Sequence, residues 1–233
     1  MDIINGNGFV AHITRSAKRK SIAIKVQKGQ VYLVVPVGLR LKLIEEVVAK
    51  KTRWILEKLA HQQVLLAIPP KAFISGEVFG LLDQQYTLKI VGGTHPAITV
   101  LGGELVVSVC NVAADNVHVI RQLLIKWYRR QAEVLLSQKT DVYARVIGVT
   151  PSGVAIKAYK SRWGSCSYAN SIAYNWKLVG APERVVDYVV IHELCHILHH
   201  NHSPAFWQAV ARYCPDYRER GAWLKNNGGR LEI

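Results

Sequence analysis

Residues 191–202 read Ile191-His192-Glu193-Leu194-Cys195-His196-Ile197-Leu198-His199-His200-Asn201-His202, so five of the nine histidines of the chain fall in one short stretch. The preceding residues, Pro182 to Val190, begin with a proline suited to a first helical position and with Glu183, suited to the positive helix end, then run into an apolar series. A helix is the natural reading. On a helix, positions four apart differ by about 40° in direction, so His192 and His196 project from one face and can share a metal ion. Glu193 stands beside that face, where its carboxylate can take a proton from a metal-bound water whose pKa zinc lowers toward roughly 7.

A catalytic zinc site normally takes three protein ligands and keeps one position open. His199 shares the face of His192 but lies about 10 Å along the axis from it, too far for one metal. His202 would point away on a continued helix, because six residues past His196 correspond to about 240° of rotation. The helix must therefore break first. Asn201 suits a left-handed terminator, and Ser203-Pro204 reads as an N-cap followed by proline at the first position of a new helix through Phe206 and Trp207. His202 then folds back, which makes His192, His196 and His202 the expected metal ligands and Glu193 the expected catalytic base. Glu219 is the competing third ligand, ranked below His202, while His199 and His200 are read as non-ligating. An accidental match of the five-residue pattern on a surface helix is the bland alternative; the start and stop signals and the third histidine weigh against it.

Outward from this stretch, Val154, Ile156 and Ala158 alternate as a strand, Ser171 to Leu178 reads as another, and Arg162-Trp163-Gly164-Ser165-Cys166 lies between them. Before these, a long helix is expected from Asp115 or Asn116 to just before Gly148, with Val119, Leu123, Trp127 and Leu135 on one side and Lys126, Arg129 and Arg130 toward solvent. Residues 1–110 read as β-rich. A hairpin pairs Ile22 to Val26 with Val31 to Val35 across Lys28-Gly29, a helix covers Leu41 to Leu59, and strands cover Glu77 to Leu82, Gln85 to Val91 and Glu104 to Val109. No internal repeat is evident. The expected organisation is α+β, with a β-rich N-terminal domain over 1–110 and a catalytic domain over 111–233.

Half of the 233 residues are apolar and a fifth are charged, which suits a packed core. The longest apolar stretches, such as Val64 to Pro70 and Val185 to Ile191, fall far short of the roughly 20 residues that cross a bilayer, so no membrane partner is expected. The beginning, MDIINGNGFV, lacks a basic segment followed by an apolar one, and a cytoplasmic location is expected. Cys110, Cys166, Cys195 and Cys214 form no CxxC pair and read as small hydrophobes, with Cys195 undecided inside the metal motif. The net charge of +14 would attract polyanions, through clusters such as Arg15 with Lys18, Arg19 and Lys20, so nucleic acid is a candidate partner, with solubility alone as the competing explanation.

Lys160-Ser161-Arg162-Trp163-Gly164-Ser165-Cys166-Ser167, Asn175-Trp176, Pro182, Asp187-Tyr188-Val189-Val190 leading into His192-Glu193-Leu194-Cys195-His196, and Asn201-His202-Ser203 before Phe206-Trp207 together carry a family resemblance. On them the chain resembles the YgjP-like family of bacterial metal-dependent hydrolases, related to SprT-like and WLM metallopeptidases. The resemblance covers most of the chain. It implies a zincin-like catalytic domain in which the strand ending near Asn175 runs along the cleft above the metal, where a peptide could add as a further strand. The spacing of the three histidines also matches the metzincin pattern, except that His199 stands where that pattern has glycine.

The expected activity is a zinc-dependent peptidase acting on a protein or peptide through a zinc-bound water activated by Glu193, with Tyr188 or Tyr217 as an oxyanion donor. Arg162 and Trp163 read either as an anion clamp or as a stacked pair anchoring a turn, the latter favoured. One alternative is a metal-dependent nucleotide pyrophosphatase, disfavoured because no phosphate-binding glycine loop is present. Another is a DNA-associated protease of SprT-like type, in which the basic N-terminal part binds nucleic acid.

Overall fold

Tight turns and alternating apolar residues shape the N-terminal sheet. The computed structural model describes residues 2–66, 69–110 and 116–233, and the chain divides into two compact units, 1–70 and 71–233. In the first unit, β1 (Asp2–Gly6), β2 (Phe9–Ser16), β3 (Ala23–Gln27) and β4 (Gln30–Pro36) form a sheet in the order β1-β2-β4-β3, with β2 and β4 parallel and the outer pairs antiparallel. The expected hairpin joins β3 to β4. Lys28 and Gly29 both take left-handed φ, 50° and 74°, as a two-residue turn between right-twisted strands demands. The β1–β2 hairpin is absent from the sequence reading, although Asn7-Gly8 at its turn is a strong hairpin signal.

Val31, Leu33 and Val35 of β4 point into a core with Ala11 and Ile13 of β2 and with Ile44, Val48 and Ile55 of α1 (Leu41–Leu66). α1 outruns its expected end at Leu59. Gln62, in the added turns, ties the helix to the hairpin: its amide nitrogen donates to the Val26 carbonyl at 2.8 Å and its oxygen accepts from the Gly29 N–H at 2.9 Å.

The second unit opens on the same topology. Strands β5 (Val78–Leu81), β6 (Gln84–Gly92), β7 (Ala97–Leu101) and β8 (Glu104–Val109) lie in the order β5-β6-β8-β7, with β6 and β8 parallel, Gly102 and Gly103 forming a left-handed turn, and the long helix α2 (Val117–Ile147) following. Four strands and a helix thus occur twice, which corrects the reading that the chain holds no repeat. What recurs is a period-two burial pattern, Val31, Leu33 and Val35 against Leu105, Val107 and Val109, and half-buried strands in general share that pattern. β7 is likewise absent from the sequence reading.

α2 ends where expected, with Gly148 at φ 80° closing on the Ala144 carbonyl. Its buried stripe runs through Ile120, Leu124, Trp127, Tyr128, Ala132 and Leu136; Trp127 is buried as expected, while Ile120, Leu124 and Leu136 fall one position away from the expected Val119, Leu123 and Leu135, and Val119 is exposed. Lys126, Arg129 and Arg130 lie outside that buried stripe, as expected.

A third sheet, β9 (Gly153–Lys157), β10 (Gly164–Cys166) and β11 (Ser171–Asn175), has the order β10-β11-β9. β11 stops at Asn175 rather than Leu178. The Asn175 side chain accepts from the Lys177 N–H and starts a 3-10 turn over Trp176–Gly180. Helices α3 (Glu183–Leu198), α4 (Pro204–Tyr213) and α5 (Tyr217–Asn227) complete the unit. The expected domain boundary near residue 110 falls inside this unit, because Leu88, Leu105 and Val107 share one core with Leu124, Leu178, Val186 and Val190. No helix among the described residues is long and apolar enough to cross a membrane.

Polar ties run from the second sheet to the 3-10 turn and to the start of α3. Leu82, held at φ 53°, donates its N–H to the Val179 carbonyl at 2.7 Å, and the adjacent Asp83 carboxylate accepts from the Glu183 N–H at 3.2 Å. Pro182, at the N-cap of α3, makes no side-chain cap of its own, so Asp83 supplies from afar what a local residue usually supplies. Asp83→Ala should therefore lower stability by about 1 kcal/mol in urea denaturation, whereas Asp83→Asn, which keeps an acceptor, should lose less than half of that; equal losses would argue against the remote cap.

Candidate metal centre

α3 buries Val185, Val186, Val189, Val190, Leu194 and Cys195, and this packing leaves His192 and His196 together on another face. Lys139 of α2 holds the first turns of α3, donating to Glu183 at 2.6 Å and to Asp187 at 2.7 Å. The helix ends at Leu198, earlier than the expected break at Asn201. His199 forms the C-cap in extended conformation, φ −142°, with its N–H on the Cys195 carbonyl, and no left-handed residue is used. An extended backbone does not call for glycine, which accounts for histidine at this position. Four residues later, Ser203 caps α4 by accepting from the Phe206 N–H, with Pro204 in the first turn.

The short link between α3 and α4 returns His202 to the other two histidines. One ring nitrogen from each of His192, His196 and His202 lies within 4.8 Å of the others, a grouping that could hold a metal ion. His202 Nε2 stands 3.2 Å from His192 Nε2, close to the roughly 3.3 Å that two nitrogens subtend in a tetrahedral site with bonds of about 2.0–2.1 Å. His196 Nδ1 lies 3.1 Å from the His199 carbonyl, an acceptor that places the proton on Nδ1 and leaves the Nε2 lone pair free. Burial, with neighbouring His196 and His202, pushes His192 down to about 3, and burial also lowers His196, so both rings are neutral in neutral solution. Neutral imidazoles are the ligating form. The residues present thus fit a metal ion.

Phe206 shapes the cluster. Its buried ring stacks on His196 at 4.4 Å and meets His192 and His202 edge-on at 4.9 and 4.8 Å, while Trp207 stacks on His202 and Tyr217 stacks on Trp207. In the sequence, Phe206 and Trp207 trace the new helix and help carry the family resemblance; the signal that Trp207 also holds the His202 ring is its place at the fourth position of α4, where a residue just ahead of the cap packs on the first turn. Glu219 is exposed on α5 and is not in the cluster, and His200 is exposed beside Tyr168.

Glu193 is 6% exposed and burial pushes its carboxyl up to about 8, with the Arg162 charge acting in the opposite direction. The strand beside it is β10. A Cβ built at Gly164 would lie 2.5 Å from Glu193 Oε1 and 2.6 Å from its Cγ, so only glycine leaves room for the carboxyl. β10 is an edge strand, whereas β11, which the resemblance placed along the cleft, is central and paired on both sides. Asn175, at the end of β11, instead holds the loop before β10: its amide donates to the carbonyls of Tyr159 at 3.0 Å and Arg162 at 3.2 Å. Tyr188 lines the cleft with His192 and Glu193, and its phenol is pushed up to about 12 by burial. Tyr217 stands behind Trp207.

The family model for a YgjP-like metallopeptidase domain matches residues 20–227. The chain belongs to this YgjP-like family. It is therefore a metallopeptidase-family protein for which a metal cofactor is implied, and the histidine cluster is where one could bind. Among solved structures, the metallopeptidase zymogen of Pyrococcus abyssi abylysin is similar at 22% identity over 37% of this chain and 88% of that one, with a TM-score of 0.35. The zymogen of Methanocaldococcus jannaschii jannalysin is similar at 20% identity over 37% and 93%, with a TM-score of 0.33. No curated protein matches the chain.

Two outcomes follow from Glu193 and its neighbour. Gly164→Ala should displace the carboxyl and reduce peptide cleavage by about 100-fold, the scale of a 1 Å misplacement, with metal content unchanged by atomic absorption. In the metal-free protein the raised Glu193 contributes stability below its ordinary pKa that is lost as pH rises through about 8. Metal-free Glu193→Gln should melt with the wild type near about pH 4 and increasingly above it up to about pH 9; a pH-independent difference would contradict the burial argument.

Proposed function

We propose that this YgjP-like protein is a zinc peptidase whose ligands are His192, His196 and His202 and whose general base is Glu193. The observation that carries the reading is the convergence of three imidazoles beside a buried carboxyl one residue away on the same helix. Zinc suits three nitrogen donors with room for a further ligand. When bound, such an ion supplies Lewis acidity, polarising a carbonyl and acidifying water.

The remaining chemistry falls to the chain. An extended peptide adds to the open edge of β10, whose unpaired backbone groups fix its direction and bring a carbonyl over the cluster. Glu193 removes a proton from the attacking water and returns it to the leaving amine. Tyr188, high in pKa and so protonated, offers its O–H to the developing oxyanion.

The charge distribution favours an additional role for the first unit. Lys and Arg outnumber Asp and Glu by twelve to four over residues 1–70, a larger share of the net charge than their length warrants. Such a surface suits nucleic acid, with binding that weakens steeply as salt rises.

Cleavage of an unfolded protein by the zinc-loaded enzyme should be lost, by about 1000-fold or more, in Glu193→Gln, while that variant still binds one zinc; His202→Ala should lose the zinc itself. Stimulation of the wild type by single-stranded DNA, abolished at high salt, would support the role of the basic unit. Hydrolysis of nucleotides without cleavage of any peptide would replace the peptidase reading.

A further inference from the structure

A cleft of about 360 Å³ opens beside Glu193, bounded by Arg162 and Trp163 on one wall, Tyr188 on the α3 side, and Leu224 and Lys225 of α5 opposite. Its walls are firmly backed. A Cβ at Gly228 would fall 2.7 Å from Trp163 Cζ2, and one at Gly221 would fall 3.3 Å from Tyr188 Oη, so both aromatic rings rest on glycine. The loop carrying Arg162 is pinned by the Asn175 amide. The volume suits one or two amino-acid side chains, at the lower end of the roughly 300–1,000 Å³ typical of ligand pockets.

The charges of this cleft are unbalanced. Arg162 and Lys225 are its two permanent cations, and Glu193 is the one acidic residue of its lining. Neither cation has an ion-pair partner among the described residues; the Arg162 guanidinium lies 5.3 Å over the Tyr159 ring, which leaves its N–H groups available. In a bound substrate, a group placed here would have its methylenes against Trp163 and Leu224 in a cleft whose lining carries two cations.

Resting on the peptidase reading above, we propose that this cleft is a substrate subsite for a carboxylate, on an acidic side chain or at the chain terminus, with Arg162 and Lys225 as its specificity-determining residues. A planar guanidinium pairs a carboxylate through two N–H groups, and the ammonium adds a second charge-assisted bond. The same charges repel a lysine or arginine at that position, so the cleft discriminates by exclusion as well as by attraction.

The test uses full-length zinc-loaded Glu193→Gln, which binds without cleaving. Fluorescence anisotropy measures its affinity for Ala/Gly hexapeptides that carry one Glu, Gln or Lys beside the central bond, each with a free or amidated C-terminus and an uncharged dye. A carboxylate-bearing peptide should bind about tenfold more tightly than its neutral counterpart, with the lysine peptide weakest, and Lys225→Gln or Arg162→Gln should each remove most of the difference. A preference lost on amidation assigns the terminal carboxylate as the ligand; one that follows Glu irrespective of amidation assigns the side chain. Equal affinities across the series, or a preference untouched by both substitutions, would overturn the subsite. Wild-type cleavage of the same peptides separates the two readings: preference without cleavage sinks the peptidase and leaves the subsite, and cleavage without preference does the reverse.

Discussion

A straight α-helix can bring two imidazoles four residues apart to one point, but its rotation carries a third, six residues further, to another side. The centre therefore depends on ending α3 between His196 and His202. The chain stops the helix at Leu198, sets His199 in extended backbone, and starts α4 at Pro204, so that His202 lies on the short link between them. The terminating residue is not a passive stop, because the His199 carbonyl is the acceptor that orients His196. Phe206, on the first turn of α4, touches all three rings and converts a turn in the chain into a fixed cluster.

The second demand is electrostatic. Burial raises the proton affinity of Glu193 in the metal-free chain, and that burial requires a neighbour that excludes water without occupying the space of the carboxyl. Gly164 on β10 meets both conditions, and Asn175 fixes the loop that leads to it through two carbonyls. Backbone and polar side chains therefore locate the Glu193 carboxyl, while the apolar face of α3 locates the helix. Further from the centre, Asp83 and Lys139 hold the first turns of that helix from the second sheet and from α2, so elements distant in sequence share in aiming it.

Sequence alone sets the second sheet on the other side of the boundary for a related reason. Its strands read as continuous with the earlier β-rich region, since period-two alternation reports only that one face is buried and not what covers it. Leu105 and Val107 are covered by α2, and through it they join the core under α3. The duplication of sheet and helix is hidden on the same ground: a shared fold written in interchangeable Val, Leu and Ile leaves no common motif to find.

Taken alone, the sequence determined whatever depends on local spacing and backbone chemistry. The histidine pair and Glu193 on one helix, the Ser203-Pro204 start of α4, the Lys28-Gly29 turn and the Gly148 stop of α2 follow from periods, caps and left-handed positions within a few residues. Tertiary structure decided what depends on partners far along the chain. It set the helix end at Leu198 rather than at Asn201, chose β10 over β11 as the strand beside Glu193, buried Ile120, Leu124 and Leu136 of α2 in place of the expected Val119, Leu123 and Leu135, and brought Arg162 and Lys225 to one cleft from residues 63 positions apart. The physical reason is that a cap or a turn is satisfied by its immediate neighbours, whereas burial, pKa and charge balance are properties of whatever packs against a side chain, and only the folded chain chooses that neighbour.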